Sequence, residues 1–169
     1  ADLAAPVLIV QHMPAYFTAS LANDLDRFCG LKVSEAFDGQ PVMPGHALIA
    51  PGGKQMKVVK KGTGTQVRIT DDPPENSCCP SVDYLFRSVT RVYGRNAVGV
   101  IMTGMGNDGT LGCQQMKQRG AAIIAQDEAS CVVFGMPRQP IEAGIVDVVA
   151  PLSEIANEIS SRVREQITV

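Results

Sequence analysis

Short apolar runs alternate with longer amphipathic segments along the chain, a pattern typical of strands that alternate with helices in a largely parallel sheet. The first such pair is an apolar run at residues 6–10, followed by residues 15–28, where apolar side chains recur at helical spacing. The same pattern predicts strands at residues 31–37, 46–51, 98–102, 121–125 and 146–149. It also predicts helices at residues 108–119 and 137–143, and from Ser153 onwards.

One segment departs from the parallel pattern. Residues 55–59 and 66–70 flank a glycine-containing turn, which predicts an antiparallel hairpin. After the hairpin, Ser81 is predicted to cap a helix that Gly94 ends. The predicted buried face of this helix consists of Val82, Leu85, Phe86 and Val89.

These elements together predict an α/β fold. We expect a three-layer αβα domain with a mostly parallel, doubly wound sheet and an added antiparallel hairpin. The chain has 169 residues, of which 45% are hydrophobic, so it is long enough for a domain with a buried core. We therefore expect one domain over residues 1–169.

Composition and charge exclude several classes of protein. The formal net charge is -2, which argues against a surface that neutralises many phosphates, so nucleic acid is not an expected partner. No apolar run approaches the roughly 20 residues of a membrane span, and the first residues lack the pattern of a secretory signal. The five cysteines lack zinc-ligand spacing and are expected to be reduced thiols. A cytoplasmic protein without membrane insertion is expected.

Two residues with triad chemistry follow predicted strands. His12 comes directly after the first strand, and Asp108 lies in the segment TGMGNDG, between a strand and a helix. The carboxyl ends of parallel strands meet at one sheet edge, where ligands bind. A histidine can take the proton of a serine nucleophile there, while a carboxylate orients the imidazole. Each residue also has a structural interpretation: His12 as a partner of nearby backbone, and Asp108 as a helix cap.

The glycines of residues 103–109 suggest exposed backbone amides. Such amides bind anions at a helix N-terminus, but the segment lacks the P-loop ending and the GxGxxG spacing of nucleotide sites. The same amides could form an oxyanion hole for ester hydrolysis. A generic anion-binding domain that uses these amides is a further hypothesis.

Several motifs resemble one known family. The segments VQHMPAYFTASLA, GHALIAPGG, PSVDYLF, NAVGVIMTGMGNDG and QDEASCVVFGMPRQPI are similar to the catalytic domain of the chemotaxis protein-glutamate methylesterases, the CheB family. The similarity extends from about Pro6 to the final helix. It implies that His12 is the catalytic histidine, that Asp108 is the acidic triad member, and that the Met105 backbone amide helps to bind the oxyanion.

The resemblance also implies a reaction and partners. The expected activity is hydrolysis of glutamate γ-methyl esters, and deamidation of glutamines, on the signalling helices of methyl-accepting chemotaxis receptors. No metal or organic cofactor is expected. Relatives in this family carry an N-terminal receiver domain, which we expect as a partner in the full-length protein. The alternative is a catalytically inactive, receptor-binding module of the same fold.

The sequence departs from the family pattern in two places. The family's nucleophilic serine lies in a glycine-rich turn upstream of the histidine's strand, and that unit is not among these residues, so we expect it outside the sequence and assign no nucleophile. The chain also has Cys78 and Cys79 where relatives usually carry histidine and arginine. The simplest interpretation is that the two cysteines are ordinary loop residues without a chemical role. The alternative is that one thiol has a depressed pKa and acts as a nucleophile or redox sensor.

Overall fold

The computed structural model describes residues 3–167 of the chain. The chain divides into two compact units, Ala1–Ser88 and Val89–Val169. Each unit contains a three-stranded parallel sheet with helices between its strands, and the first also carries an antiparallel hairpin. The predicted α/β class, with parallel strands plus a hairpin, is confirmed.

The sheet of the first unit has the order β1-β3-β2, and all its pairings are parallel. Its strands are β1 (Val7–Ile9), β2 (Lys32–Glu35) and β3 (His46–Ile49), and helix α1 (Phe17–Phe28) connects β1 to β2. The central strand β3 is almost fully buried because it has a neighbour on each side. Ala22 of α1 packs against Val33, Ala47 and Ile49 of this sheet. This packing fixes the carboxyl end of β1, after which His12 follows.

The hairpin is longer than the apolar pattern predicted. Strands β4 (Gln55–Lys61) and β5 (Gly64–Thr70) pair over seven positions, so that only Gly62 and Thr63 form the turn. Gly62 has a φ of +57°, a conformation that glycine adopts without a steric penalty. The prediction ended β4 too early because Lys60 and Lys61 are polar, although their backbones continue the ladder.

Helix α2 (Val82–Tyr93) follows the hairpin, and Ser81 caps it as predicted, because the Ser81 Oγ accepts a hydrogen bond from the Tyr84 N–H at 3.4 Å. The predicted buried face is partly wrong. Val82 and Leu85 are buried, but Phe86 and Val89 are only half-buried. The remaining buried positions of α2 are Asp83, Tyr84 and Ser88.

Hydrogen bonds explain the burial of these polar side chains. Asp83 accepts a bond from the Asn76 side-chain amide, and the Ser88 Oγ accepts one from the Val58 N–H at 3.0 Å. Buried polar groups that are satisfied in this way cost little to bury.

The second unit repeats the strand and helix alternation. Its parallel sheet has the order β6 (Val98–Ile101), β7 (Ala122–Gln126), β8 (Val148–Ala150). A short 3-10 helix (Gly94–Asn96) precedes β6, and Gly94 ends α2 as predicted. The helices are α3 (Thr110–Gln118), α4 (Arg138–Glu142) and α5 (Leu152–Ile167).

One core cluster of the second unit lies between its sheet and α5. Ile155 of α5 packs with Ile124 of β7 and Ala150 of β8. Within residues 3–167, no helix combines the length and apolar character that crossing a membrane requires. The sheet edge that matters for chemistry is again the carboxyl end, where the TGMGNDG segment follows β6.

Candidate active site

His12 lies three residues beyond β1, in the turn that leads to α1. Its side chain is exposed. β1 ends at Ile9, whose carbonyl accepts a hydrogen bond from the Ala50 N–H at 2.8 Å, and the Met13 N–H donates to the Gln11 carbonyl at 2.8 Å. The strand end and this tight turn together present an imidazole at the carboxyl edge of the first sheet.

Gly52, in the turn after β3, packs closely against the backbone of the turn that contains His12, called the histidine turn below. A Cβ at Gly52 would lie only 2.5–2.6 Å from backbone atoms of Met13, Pro14 and Ala15. Any larger residue would therefore push the backbone beside His12 out of place. The close approach of these two backbones explains why the GHALIAPGG segment contains glycine at this position.

A buried hydrogen-bonded chain fixes Gly52. The Gly52 N–H donates to the Thr18 Oγ1 at 3.0 Å, and the Thr18 hydroxyl donates to the Glu35 Oε1 at 2.5 Å. Thr18 is fully buried. A carboxylate acceptor strengthens such hydrogen bonds. The two bonds connect β2, α1 and the turn at Gly52, and together these segments support the histidine turn.

The turn that carries Cys78 lies at the same edge of the first unit. The Cys78 Sγ and a ring nitrogen of His12 are within 4.8 Å of each other. Glu75 and Cys78 exchange two backbone hydrogen bonds, of 3.1 and 2.8 Å, and the Gly53 N–H donates to the Cys79 carbonyl at 3.1 Å. The turns beside His12 and Cys78 are thus connected through Gly52 and Gly53.

A buried glutamine side chain closes this turn. The Gln55 Nε2 donates to the carbonyls of Pro73 and Cys78, and its Oε1 accepts from the Ser81 N–H at 2.9 Å. Gln55 is completely buried. Its three hydrogen bonds satisfy backbone groups that the strands and helices leave unpaired.

The environment of Cys79 does not favour a reactive thiol. Burial raises the pKa of the Cys79 thiol, and the nearby Asp71 carboxylate raises it further. A raised pKa lowers the thiolate fraction at neutral pH, and the thiolate is the nucleophilic form. The hypothesis of a depressed thiol pKa is therefore wrong for Cys79.

Asp108 lies between β6 and α3 in the second unit and is 2% exposed. The prediction that α3 starts at Asp108 is wrong: the first helical residue is Thr110 and the N-cap is Gly109, with a φ of +97°. Gly109 has no side chain with which to cap the helix, and the triad and capping interpretations of Asp108 both stay predictions.

The turn that carries Met105 is held by the segment 133–136. The Gly104 N–H donates to the Val133 carbonyl at 3.1 Å, and the Gly104 carbonyl accepts from the N–H groups of Gly135 and Met136. A Cβ at Gly135 would lie 2.6 Å from the Gly104 oxygen. The turn therefore requires glycine at position 135 in the FGMP motif.

This bracing leaves the Met105 amide available. The Met105 N–H donates to no other atom in the described range 3–167, and the residue is 82% exposed. An amide in a fixed turn, without an internal acceptor, can donate to charge that develops on a bound substrate. The geometry of this turn suits the predicted oxyanion role.

Gln126, at the end of β7, joins the Met105 turn to the next loop. Its Oε1 accepts from the Thr103 N–H at 2.9 Å, and its Nε2 donates to the Ser130 carbonyl at 2.8 Å. The residue is 1% exposed. A buried amide with both ends bonded is costly to replace, because the backbone groups it serves would lose their partners.

A shallow cleft of about 360 Å³ opens beside the Met105 turn in the second unit. Arg138 and Glu142 line one wall and form an exposed ion pair of 2.7 Å. Such exposed pairs are worth at most about 1 kcal/mol, so an entering ligand can replace either partner at small cost. The remaining lining residues are Gly106, Asn107, Phe134, Gly135 and Gln139.

Four serines that are candidates for a nucleophile lie in other settings. Ser20 is exposed within α1, Ser77 is exposed in the turn between Glu75 and Cys78, and Ser81 caps α2. The Ser130 hydroxyl donates to the Asp127 Oδ1 at 2.5 Å. None of these four lies in a strand-turn-helix position comparable to that of the family's nucleophile, so we assign no nucleophile.

Residues 1–159 match the family model described as CheB methylesterase. The chain belongs to the CheB methylesterase family. A CheB relative from Desulfotalea psychrophila, named protein-glutamate methylesterase/protein-glutamine glutaminase, is 54% identical over 165 residues. The relative of the same name from Salmonella typhimurium is 53% identical over 157 residues.

These CheB relatives are longer than the chain. The two alignments cover 96% and 93% of this chain but only 45% of each relative. The crystal structure of the Thermotoga maritima CheB methylesterase catalytic domain superposes with a TM-score of 0.93 at 38% identity, covering 95% of this chain and 85% of that one. The fold that the motifs implied is therefore the CheB catalytic fold.

The sequence analysis proposed His12 and Asp108 as candidate site residues because each follows an apolar strand, but it missed the residues that support their turns. Gln55 and Gln126 gave no signal, since a glutamine at a strand end is typical of exposed surface. Gly52 and Gly135 belong to quoted motifs, but their close backbone approach depends on tertiary packing. His12 belongs to the first unit and Asp108 to the second.

Proposed function

We propose that the chain supplies most of the catalytic domain of a protein-glutamate methylesterase and glutaminase. Its substrates are glutamate γ-methyl esters, and certain glutamines, on the signalling helices of chemotaxis receptors in the bacterial cytoplasm. A receiver domain on the same polypeptide is the proposed regulatory partner. The structural observation that carries the proposal is the braced Met105 turn, whose amide has no acceptor within residues 3–167.

The proposed mechanism uses a serine from outside these 169 residues. His12 takes the proton of the serine hydroxyl as the serine oxygen attacks the γ-carbonyl carbon, and Asp108 holds the imidazole and stabilises its charged form. The Met105 amide donates to the oxyanion of the tetrahedral intermediate. Collapse of the intermediate releases methanol, or ammonia from glutamine, with the proton returned by His12. Water then hydrolyses the acyl-serine by the same steps.

The test is methanol release from methylated receptors by a polypeptide in which this chain is joined to the serine-bearing segment. His12→Ala is expected to lower kcat by about 10⁴-fold or more, because the serine loses its base. Asp108→Asn is expected to lower kcat by about 10⁴-fold, because the imidazole is held in the wrong tautomer. Turnover of His12→Ala within tenfold of the parent would refute the assignment.

The chain's second histidine provides a matched control. His46 is half-buried and is the first residue of β3, so it lies at the amino end of its strand, whereas His12 follows the carboxyl end of β1. His46→Gln is therefore expected to keep turnover within about twofold of the parent. If the parent protein itself binds methylated receptor without releasing methanol, the inactive binding module becomes the correct interpretation.

A further inference from the structure

Cys78 has no part in the proposed ester hydrolysis, yet it lies beside the histidine that does. Its Sγ and a His12 ring nitrogen are within 4.8 Å of each other. His12 is exposed and Cys78 is half-buried, so ions in solvent can reach both. A thiolate sulfur and an imidazole nitrogen are preferred ligands of Zn²⁺ and of softer, thiophilic ions.

The separation of the two ligand atoms is compatible with one shared ion. Bonds of about 2.3 Å to sulfur and about 2.0 Å to nitrogen, at a tetrahedral angle, place the two ligand atoms about 3.5 Å apart. In the structure these two atoms lie within 4.8 Å of each other, a separation of the order that one shared ion needs.

The backbones that carry both ligands are already fixed. The Cys78 carbonyl accepts from the Gln55 Nε2 and from the Glu75 N–H, and the Cys78 N–H donates to the Glu75 carbonyl. The histidine turn is held by its close contact with Gly52. Preorganised ligands lose little conformational entropy when an ion binds, which raises affinity.

We propose that Cys78 and His12 form a binding site for Zn²⁺ and for thiophilic divalent ions such as Cd²⁺, with water completing the coordination. The Cys78 thiol loses its proton to solvent as the metal–sulfur bond forms, and no oxidant or reductant takes part. The ion is not a cofactor. A bond to either imidazole nitrogen would disturb the base, because one nitrogen accepts the serine proton and Asp108 holds the other, so binding would inhibit the esterase; this consequence rests on the proposed function.

The adjacent thiol is a weaker candidate. Within residues 3–167, the group of ligand atoms around His12 contains the sulfur of Cys78 but not that of Cys79. The two adjacent cysteines therefore offer an internal comparison, because they differ in their environments but not in their chemistry.

The experiment is a titration of the purified protein with Cd²⁺, followed by the ultraviolet thiolate-to-metal charge-transfer band, and with Zn²⁺ by calorimetry. The parent protein is expected to bind one equivalent with a thiolate band. Cys78→Ser is expected to lose the band of that first equivalent, and His12→Ala to weaken the affinity at least about tenfold. The affinity is also expected to fall as the pH is lowered, since both ligands bind metal only when deprotonated.

Cys79→Ser and Cys29→Ser are the matched controls, the latter because Cys29 is an exposed free thiol at the end of α1. Both are expected to retain the first equivalent. A band that survives in Cys78→Ser, or that disappears in Cys79→Ser, would overturn the proposal. Unchanged affinity in His12→Ala would do the same, because the thiol would then bind alone. No substrate enters these measurements, so they can fail or succeed independently of the esterase activity.

Discussion

Single glycines determine the shape of both candidate turns. Gly52 contacts the backbone of residues 13–15, and Gly135 contacts the backbone of Gly104. Neither glycine has a positive φ, so the requirement is space for a neighbouring backbone rather than an unusual backbone conformation. At the residue scale, the positions of His12 and Met105 therefore depend on the lack of a side chain at Gly52 and Gly135.

Gly135→Ala tests this dependence for the Met105 turn. The new Cβ would lie 2.6 Å from the Gly104 oxygen and 3.1 Å from the Gly106 nitrogen, and backbone cannot give way as a flexible side chain can. The turn must therefore shift, and kcat for methanol release is expected to fall by about 10²-fold with little change in KM, as for the loss of an oxyanion donor.

The control for this prediction is Gly64→Ala in the hairpin. A Cβ at Gly64 would meet its nearest atom, the Lys61 oxygen, at an ordinary 3.8 Å. This variant is expected to keep kcat within about twofold of the parent. Equal kcat values for Gly135→Ala and the parent would show that the braced turn does not position the reacting groups.

At the element scale, the hairpin is connected to α2 by a cluster around one tyrosine. The Tyr84 hydroxyl donates to the Asp72 Oδ2, and the Lys57 Nζ donates to the same oxygen at 3.4 Å. Lys57 and Arg87 also lie near the Tyr84 ring, 5.4 and 5.5 Å from its centroid. These contacts join β4, the residues after β5 and α2.

This cluster predicts a pH dependence of stability. The hydrogen bond from the Tyr84 hydroxyl, helped by Thr70 and Lys57, lowers the pKa of Asp72 below its usual value. A lowered pKa in the folded state stabilises the protein above the unfolded-state pKa of about 3.9, and this contribution is lost as the pH falls through the folded-state pKa. Asp72→Asn is therefore expected to unfold at lower urea concentration at pH 7, and to show a smaller loss of stability on acidification.

Urea unfolding at neutral and acidic pH checks this expectation. Asp24→Asn is the control, because Asp24 is exposed and pairs only at 3.6 Å with Arg27 within α1. Its acid dependence is expected to match that of the parent. An Asp72→Asn variant with the parent's acid dependence would contradict the prediction.

The order of the elements could be predicted from sequence, but the polar interior could not. Apolar runs are local signals, so β1 falls inside the predicted residues 6–10 and β6 inside residues 98–102. Asp83 and Ser88 are buried in α2 because their partners come from other segments, Asn76 and the Val58 N–H. Periodicity cannot indicate such partners, and the predicted face of α2 was partly wrong for that reason.

The same distinction between local signals and long-range partners applies to the candidate site. A segment that follows an apolar strand can be placed at a sheet edge from sequence, and this made His12 and Asp108 the candidates. The hydrogen bonds of Gln55, Gln126 and Thr18 connect segments that are far apart in sequence, so they became visible only in the folded chain.

At the scale of the whole molecule, the chain spans about half the length of the curated relatives that it matches, 45% in each of the two compared above. The proposed reaction needs a nucleophile. The four serines considered above lie in a helix, a turn, a helix cap and a loop: Ser20, Ser77, Ser81 and Ser130. Activity should therefore depend on residues beyond these 169.

Two polypeptides test this dependence: the 169 residues alone, and the same residues joined to the family's serine-bearing segment. The first is expected to release no methanol from methylated receptors, and the second to release it. The serine-to-alanine variant of the joined segment is the control, because it supplies the same packing surface without the nucleophile; it should fold like its parent and lose turnover by about 10⁴-fold or more. Turnover by the 169 residues alone would require a nucleophile among them, and would show that the proposed serine from outside them is not the nucleophile.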